Sequence, residues 1–143
     1  MDICDYSPYC NYENSRRLPN MIINYLKKNS PNFWKILKYE DRPYAMPDLT
    51  RTEINSMVCS DWSSDAVNKY FVIPTRWSNQ ALSKKSLQFR VSVLAGESPN
   101  RTQAQIRVMM EIVCSKNTPL VNTDFGMEDR AYALTAEIIK ALN

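Results

Sequence analysis

The side chains best suited to chemistry in this sequence are four cysteines, Cys4, Cys10, Cys59 and Cys114, and four carboxylates, Asp61, Asp65, Glu111 and Asp129. Thiolates attack electrophiles or bind soft metals, and paired carboxylates pass protons. Neither set has its usual helpers. Histidine is absent, which removes the commonest general base, the usual partner of a serine or cysteine nucleophile, and the commonest metal ligand. Only Cys4 and Cys10 lie near one another, and the five residues between them are not the short hook of a zinc site. An all-cysteine site would need all four to converge. Reduced, mostly buried thiols in a cytoplasmic protein fit the pattern better. Solvated faces and helix starts account for the carboxylates. With only Gly96 and Gly126, the chain has no GxGxxG and no P-loop to cradle a nucleotide. The residues therefore imply no catalytic site, no metal and no cofactor.

A second group of residues suits contact rather than catalysis. The stretch TRWSNQALSKKS, Thr75 to Ser86, is long for a structureless connection, a length that usually signals function or disorder. From Thr75 to Arg90 the only charges are Arg76, Lys84, Lys85 and Arg90, all positive, and Trp77 has few apolar neighbours in sequence. Three readings compete for this loop: a solvated loop with Trp77 folded on its own sheet, a nucleic-acid contact through phosphates and stacked bases, and a protein contact. Trp and Arg are favoured interface anchors, which supports the last. Residues 1–14 read as an extended arm with the opposite charge. It carries Tyr6, Tyr9 and Tyr12 at a spacing of three, with Asp2, Asp5 and Glu13 and no Lys or Arg. Arm and loop are electrostatic complements.

The elements that must position these residues are those of one ordinary domain, residues 15–143. The 143 residues are 44% hydrophobic and 23% charged, enough for a sizeable core and unlike a disordered chain. The net charge of +3 is too small to argue for nucleic acid by itself. No apolar run approaches the ~18 residues of a membrane span, and MDICDYSPYC does not read as a secretion signal, so no membrane partner is expected.

A first helix is predicted from Leu18 to Lys28, with Pro19 at its start and Met21, Ile22, Tyr25 and Leu26 as its apolar stripe. Ser30 then reads as the N-cap of a second helix with Pro31 at its first position, and Phe33, Trp34 and Leu37 on one face. Pro43 and Pro47 stop any helix, and Thr50 with Glu53 reads as a capping box opening a third. Asn68 to Pro74, NKYFVIP, reads as a strand.

Leu87–Ala95 alternates, with Leu87, Phe89, Val91 and Val93 inward and Gln88, Arg90 and Ser92 outward. Ala104–Cys114 alternates likewise, with Ile106, Val108, Met110, Ile112 and Cys114 inward. GESPNRTQ would be the hairpin loop joining them. A last helix should be capped by Asp124 or a neighbour, with Glu128 and Asp129 in its first turn and Lys140 in its last. Ala131, Leu134, Ile138 and Leu142 would lie on the sheet. The expected class is α+β, with helices packed on one face of a small antiparallel sheet.

The FWKILKY…MPDLTRTE segment is similar to head-to-tail connector (neck) proteins of podovirus-like tailed bacteriophages. The strand order and the ending MEDRAYALTAEIIKALN resemble tail-terminator and tail-completion proteins of such phages. The extra helical pair Pro31–Cys59 departs from the minimal tail-terminator plan. The resemblance implies a tail-terminator-like fold and a structural virion protein without an active site, made in the host cytoplasm. It would form a homo-oligomeric ring bearing on portal, neck or tail neighbours, with transient contact to DNA in the lumen as a further option. The candidate interface residues are Tyr6, Tyr9, Tyr12, Arg76, Trp77, Lys84 and Lys85. The alternatives are a non-viral adaptor subunit of a complex, or a small enzyme using Asp/Glu or Cys.

Overall fold

Phe33, Trp34, Ile36 and Leu37 spread apolar surface over nearly half the circumference of one short helix, and elements from both ends of the chain cover it. The computed structural model describes residues 8–63, 66–75, 87–100, 103–115 and 118–143, without the side chains of 8–14, 67, 95–100, 103 and 104. The helices are α1 (Pro8–Asn29), α2 (Pro31–Lys38), α3 (Arg51–Met57), the single turn α4 (Ala66–Lys69) and α5 (Arg130–Leu142), with a 3-10 turn at Pro43–Ala45. The strands are β1 (Val72–Ile73), β2 (Leu87–Asn100), β3 (Gln103–Cys114), β4 (Leu120–Thr123) and β5 (Gly126–Asp129). This is an α+β domain with a small, mostly antiparallel sheet in the order β1-β2-β3, and a separate β4-β5 hairpin.

α2 is the hub of the core. Phe33, Trp34, Ile36 and Leu37 are wholly buried, together with Ile23 and Leu26 of α1, Leu87, Phe89 and Val91 of β2, and Leu134 of α5. Phe33 meets Trp34 and Phe89 edge to face, at 5.0 and 5.3 Å between ring centroids. The Trp34 indole N–H donates to the Leu26 carbonyl at 3.0 Å, which satisfies its one polar atom. Lys35 is also buried, and its ammonium is held by Asp48 at 3.0 Å and by the Met46 carbonyl at 3.2 Å. The Thr50–Glu53 capping box forms in full at the start of α3. Ser30 occupies the N-cap position of α2, but its hydroxyl makes no capping bond.

Several expectations are corrected. Residues 8–14 are helical, not an extended arm: α1 begins at Pro8 and runs on through Pro19. Pro8 suits a first helical position, and no glycine interrupts the turns that follow. Pro19 forfeits one backbone bond but is buried, and packing of Ile23 and Leu26 carries the helix past it. The stripe of α1 is rotated accordingly, leaving Met21 and Tyr25 outward. Asn68 and Lys69 belong to α4, so the first strand is two residues long. It pairs parallel to β2, Val72 with Phe89 and Ile73 with Arg90. A parallel partner cannot be reached by a tight turn, and this accounts for the length of the Thr75–Ser86 connection.

β2 is covered on both faces. Val72 joins the main core, while Ile73 packs with Ala66 and Tyr70 on the other side. Gln88 and Arg90, expected to face water, are therefore buried. Gln88 donates to the Tyr70 carbonyl at 2.9 Å, and Arg90 Nε donates to Gln88 at 2.8 Å and pairs with Glu111 at 3.3 Å. Phe89 is buried as predicted, whereas Val108 and Met110 are only half-buried. The GESPNRTQ segment extends the ladder to Asn100 and Gln103, with register shifts at Val93/Ala95 and Glu97/Asn100. Pro99, which has no N–H to give, falls within the second irregularity.

Candidate functional site

Of the residues singled out for contact, Tyr6, Arg76, Trp77, Lys84 and Lys85 lie outside the described residues. Tyr9 and Tyr12 are on α1, with only their backbone described. The chemistry candidates are dispersed. Cys59 and Cys114 are free thiols, each pushed above the ordinary value by burial. Exposed Asp61 accepts from the Tyr70 hydroxyl and from Lys69 at 3.3 Å, and these bonds, Tyr70's first, hold its carboxyl below the usual range. Glu111 pairs with Arg90. Asp129, expected in the first turn of the last helix, is instead its N-cap and accepts from the Tyr132 N–H at 2.9 Å. Cys4, Asp65 and the Cys10 side chain lie outside the description. Among the described residues no three His, Cys, Asp or Glu side chains come together around a metal-sized space.

The feature that does stand out is a groove that no motif announced. Its walls are the 3-10 turn after α2, the β4–β5 turn and the first turns of α5. Arg130, wholly buried where β5 passes into α5, joins the start of that helix to the end of α2 and the first residue of β4. Its Nη1 donates to the carbonyls of Ile36 at 3.1 Å and Tyr39 at 3.0 Å, and its Nη2 to Glu40 and, at 3.3 Å, to Leu120. The last carbonyls of a helix have no partner within it, so Arg130 closes the end of α2 and fixes the hairpin beside it.

The hairpin tip is itself determined by sequence. Thr123 and Gly126 pair across Asp124 and Phe125. The Thr123 hydroxyl oxygen accepts from the Phe125 N–H at 3.2 Å, and Gly126 takes φ +116°, which favours glycine. This lifts Phe125 into solvent with 94% of its surface exposed, and Tyr132, off the buried stripe of α5, is 78% exposed.

Between them lies a groove of about 690 Å³ with Tyr44, Phe125 and Tyr132 as aromatic walls, small Ala133 and Ala136 on its helical side, and Asp124, Glu128 and Asp129 around it. A smaller depression of about 190 Å³ adjoins it and shares Tyr44, Thr123 and Asp124; among the described residues Arg42 is the one basic side chain lining either. The Tyr44 hydroxyl donates to Glu137 at 3.3 Å. Its pKa is pushed up to about 12, first by burial and then by the negative charges of Glu137 and Glu128. The site thus combines apolar walls with negative potential, which suits a cationic or aromatic occupant more than an anionic one.

Residue types alone gave weak notice of this site. Phe125 stood in a polar turn, NTDFG, with no apolar neighbour to bury it. Tyr132 sat opposite Leu134 on the helical wheel. Arg130 gave no signal, because three of its four partners are about ninety residues away in sequence. No family model, curated protein or solved structure matches the chain.

Proposed function

We propose that this chain is an assembly subunit: a structural protein forming a homo-oligomeric ring in the neck or tail of a tailed bacteriophage. The observation that supports assembly is the exposed aromatic groove of Tyr44, Phe125 and Tyr132 with its acidic rim. Three large aromatic and apolar side chains, Phe125, Met127 and Tyr132, stand exposed on one hairpin and the helix it enters. Clustered exposed apolar groups rimmed by polar ones mark binding surfaces. Aromatic anchors in a pocket are what an interface uses.

The ring and the virion setting rest on the resemblance of the FWKILKY…MPDLTRTE segment and the helix–sheet–helix order to phage neck and tail-completion proteins. On this reading the partners are further copies of the chain and the portal, neck or tail proteins above and below. Native mass spectrometry of the purified protein, alone and with portal, tests it. A discrete hexamer or dodecamer, seen as rings by negative stain, is the expected result. A chain that stays monomeric under both conditions contradicts the proposal.

A further inference from the structure

We propose that the groove between the β4–β5 turn and α5 is the receptor for the basic, tryptophan-bearing segment Arg76–Lys85 of a neighbouring copy. The inference rests on the assembly reading above and names its contact. The first argument is charge. The groove presents Asp124, Glu128 and Asp129, and Arg42 lies only at the adjoining depression. The segment Arg76–Lys85 carries Arg76, Lys84 and Lys85 and no acidic residue. Opposed potentials of this kind set register and partner choice.

The second argument is shape and chemistry. Tyr44, Phe125 and Tyr132 line the groove with aromatic rings, a residue type to which both a tryptophan and a lysine or arginine are attracted. The carboxylates alongside would satisfy the cation's hydrogen bonds. The third argument is symmetry. An acidic groove and a basic segment on one chain are unlike patches, and a head-to-tail ring needs unlike patches on its two sides.

A fluorescently labelled synthetic peptide covering Thr75–Leu87 tests the contact by anisotropy against the full-length protein. Saturable binding is expected, weakened about tenfold or more by Phe125→Ala with Tyr132→Ala. A peptide carrying Lys84→Glu and Lys85→Glu should fail on the wild type and bind an Asp124→Lys/Glu128→Lys variant. These side chains are exposed, and circular dichroism with the thermal midpoint checks that each variant folds. A wild-type peptide that does not bind, or binds all variants alike, overturns the inference. So does a charge-reversed peptide with the specificity of the wild type. The mass measurement remains separate. Peptide binding by a monomeric chain would keep the groove contact and remove the ring. A ring formed unchanged by Asp124→Lys/Glu128→Lys would overturn the groove contact and keep the ring.

Discussion

Arg130 shows how one side chain sets the geometry of a surface it does not reach. Its guanidinium is held by four backbone carbonyls, and among the described residues no carboxylate is bonded to it. The bond to Ile36 is buried and those to Tyr39, Glu40 and Leu120 are partly so, and its role is to satisfy these acceptors at the end of α2 and the start of β4. A buried acceptor left without a donor costs about 1–3 kcal/mol, so Arg130→Met should destabilise the domain by roughly 2–3 kcal/mol. Arg130→Lys should recover only part of this, because an ammonium has three donors and lacks the planar fork. Urea unfolding with an unchanged m-value is the measurement, and a loss under about 1 kcal/mol would contradict the bracing role. Tyr44 carries the second residue-scale expectation. Its folded pKa is raised, so the neutral hydroxyl stabilises the native state fully below the ordinary tyrosine value near 10. Stability should then fall as pH rises from there through about 12, since the unfolded chain gives up its proton first. Unfolding free energies across that range should show the decline in the wild type and a shallower one in Tyr44→Phe.

The β4–β5 hairpin is where a single backbone angle decides an element. Gly126 has φ +116°, and nothing lies within 4 Å of where a Cβ would stand. The cost of Gly126→Ala is therefore backbone strain alone, of order 1–3 kcal/mol. We expect hydrogen exchange to quicken at the Leu120–Asp129 amides while β2 and β3 keep their protection; equal protection in the variant would show that the turn tolerates a side chain. This hairpin was also the least legible element. Its strands are four residues each, and β5 is exposed throughout, so neither shows the alternation that announced β2 and β3. The capping box at Thr50 and Glu53 and the Leu134 and Ile138 stripe were legible because each is written within two turns of one helix. The burial of Gln88 and Arg90 was not, since it depends on β1 returning parallel and carrying Tyr70 over the second face of β2. Pro19 misled in the other direction: a local rule for helix starts gave way to packing along a long helix.

At the scale of the whole molecule, one groove and one segment make too small a contact for a stable assembly, because specific interfaces bury upward of about 1,000 Å². A ring would need further apolar area, and two places offer it. Met21 and Tyr25 lie one turn apart on α1, 57% and 47% exposed, and Ile139 and Leu142 stand outward near the end of α5. Met21, Tyr25 and Leu142 were expected to pack inward from the sequence, yet the fold leaves them half in water. We expect Met21→Asp with Tyr25→Asp to shift the mass distribution toward monomer by about tenfold in Kd, with little change in the monomer's thermal midpoint. Salt separates the two kinds of contact in the same experiment. At 1 M ionic strength the Debye length is about 3 Å, and exposed ion pairs, worth at most about 1 kcal/mol each, fade. The acidic groove and basic segment should then lose register sooner than they lose affinity, because the apolar anchors Phe125 and Tyr132 keep their contribution. An assembly that dissolves at moderate salt would mean that charge, not apolar area, holds it. An assembly indifferent to both salt and the α1 variant would place its contacts on neither the groove nor this face of α1.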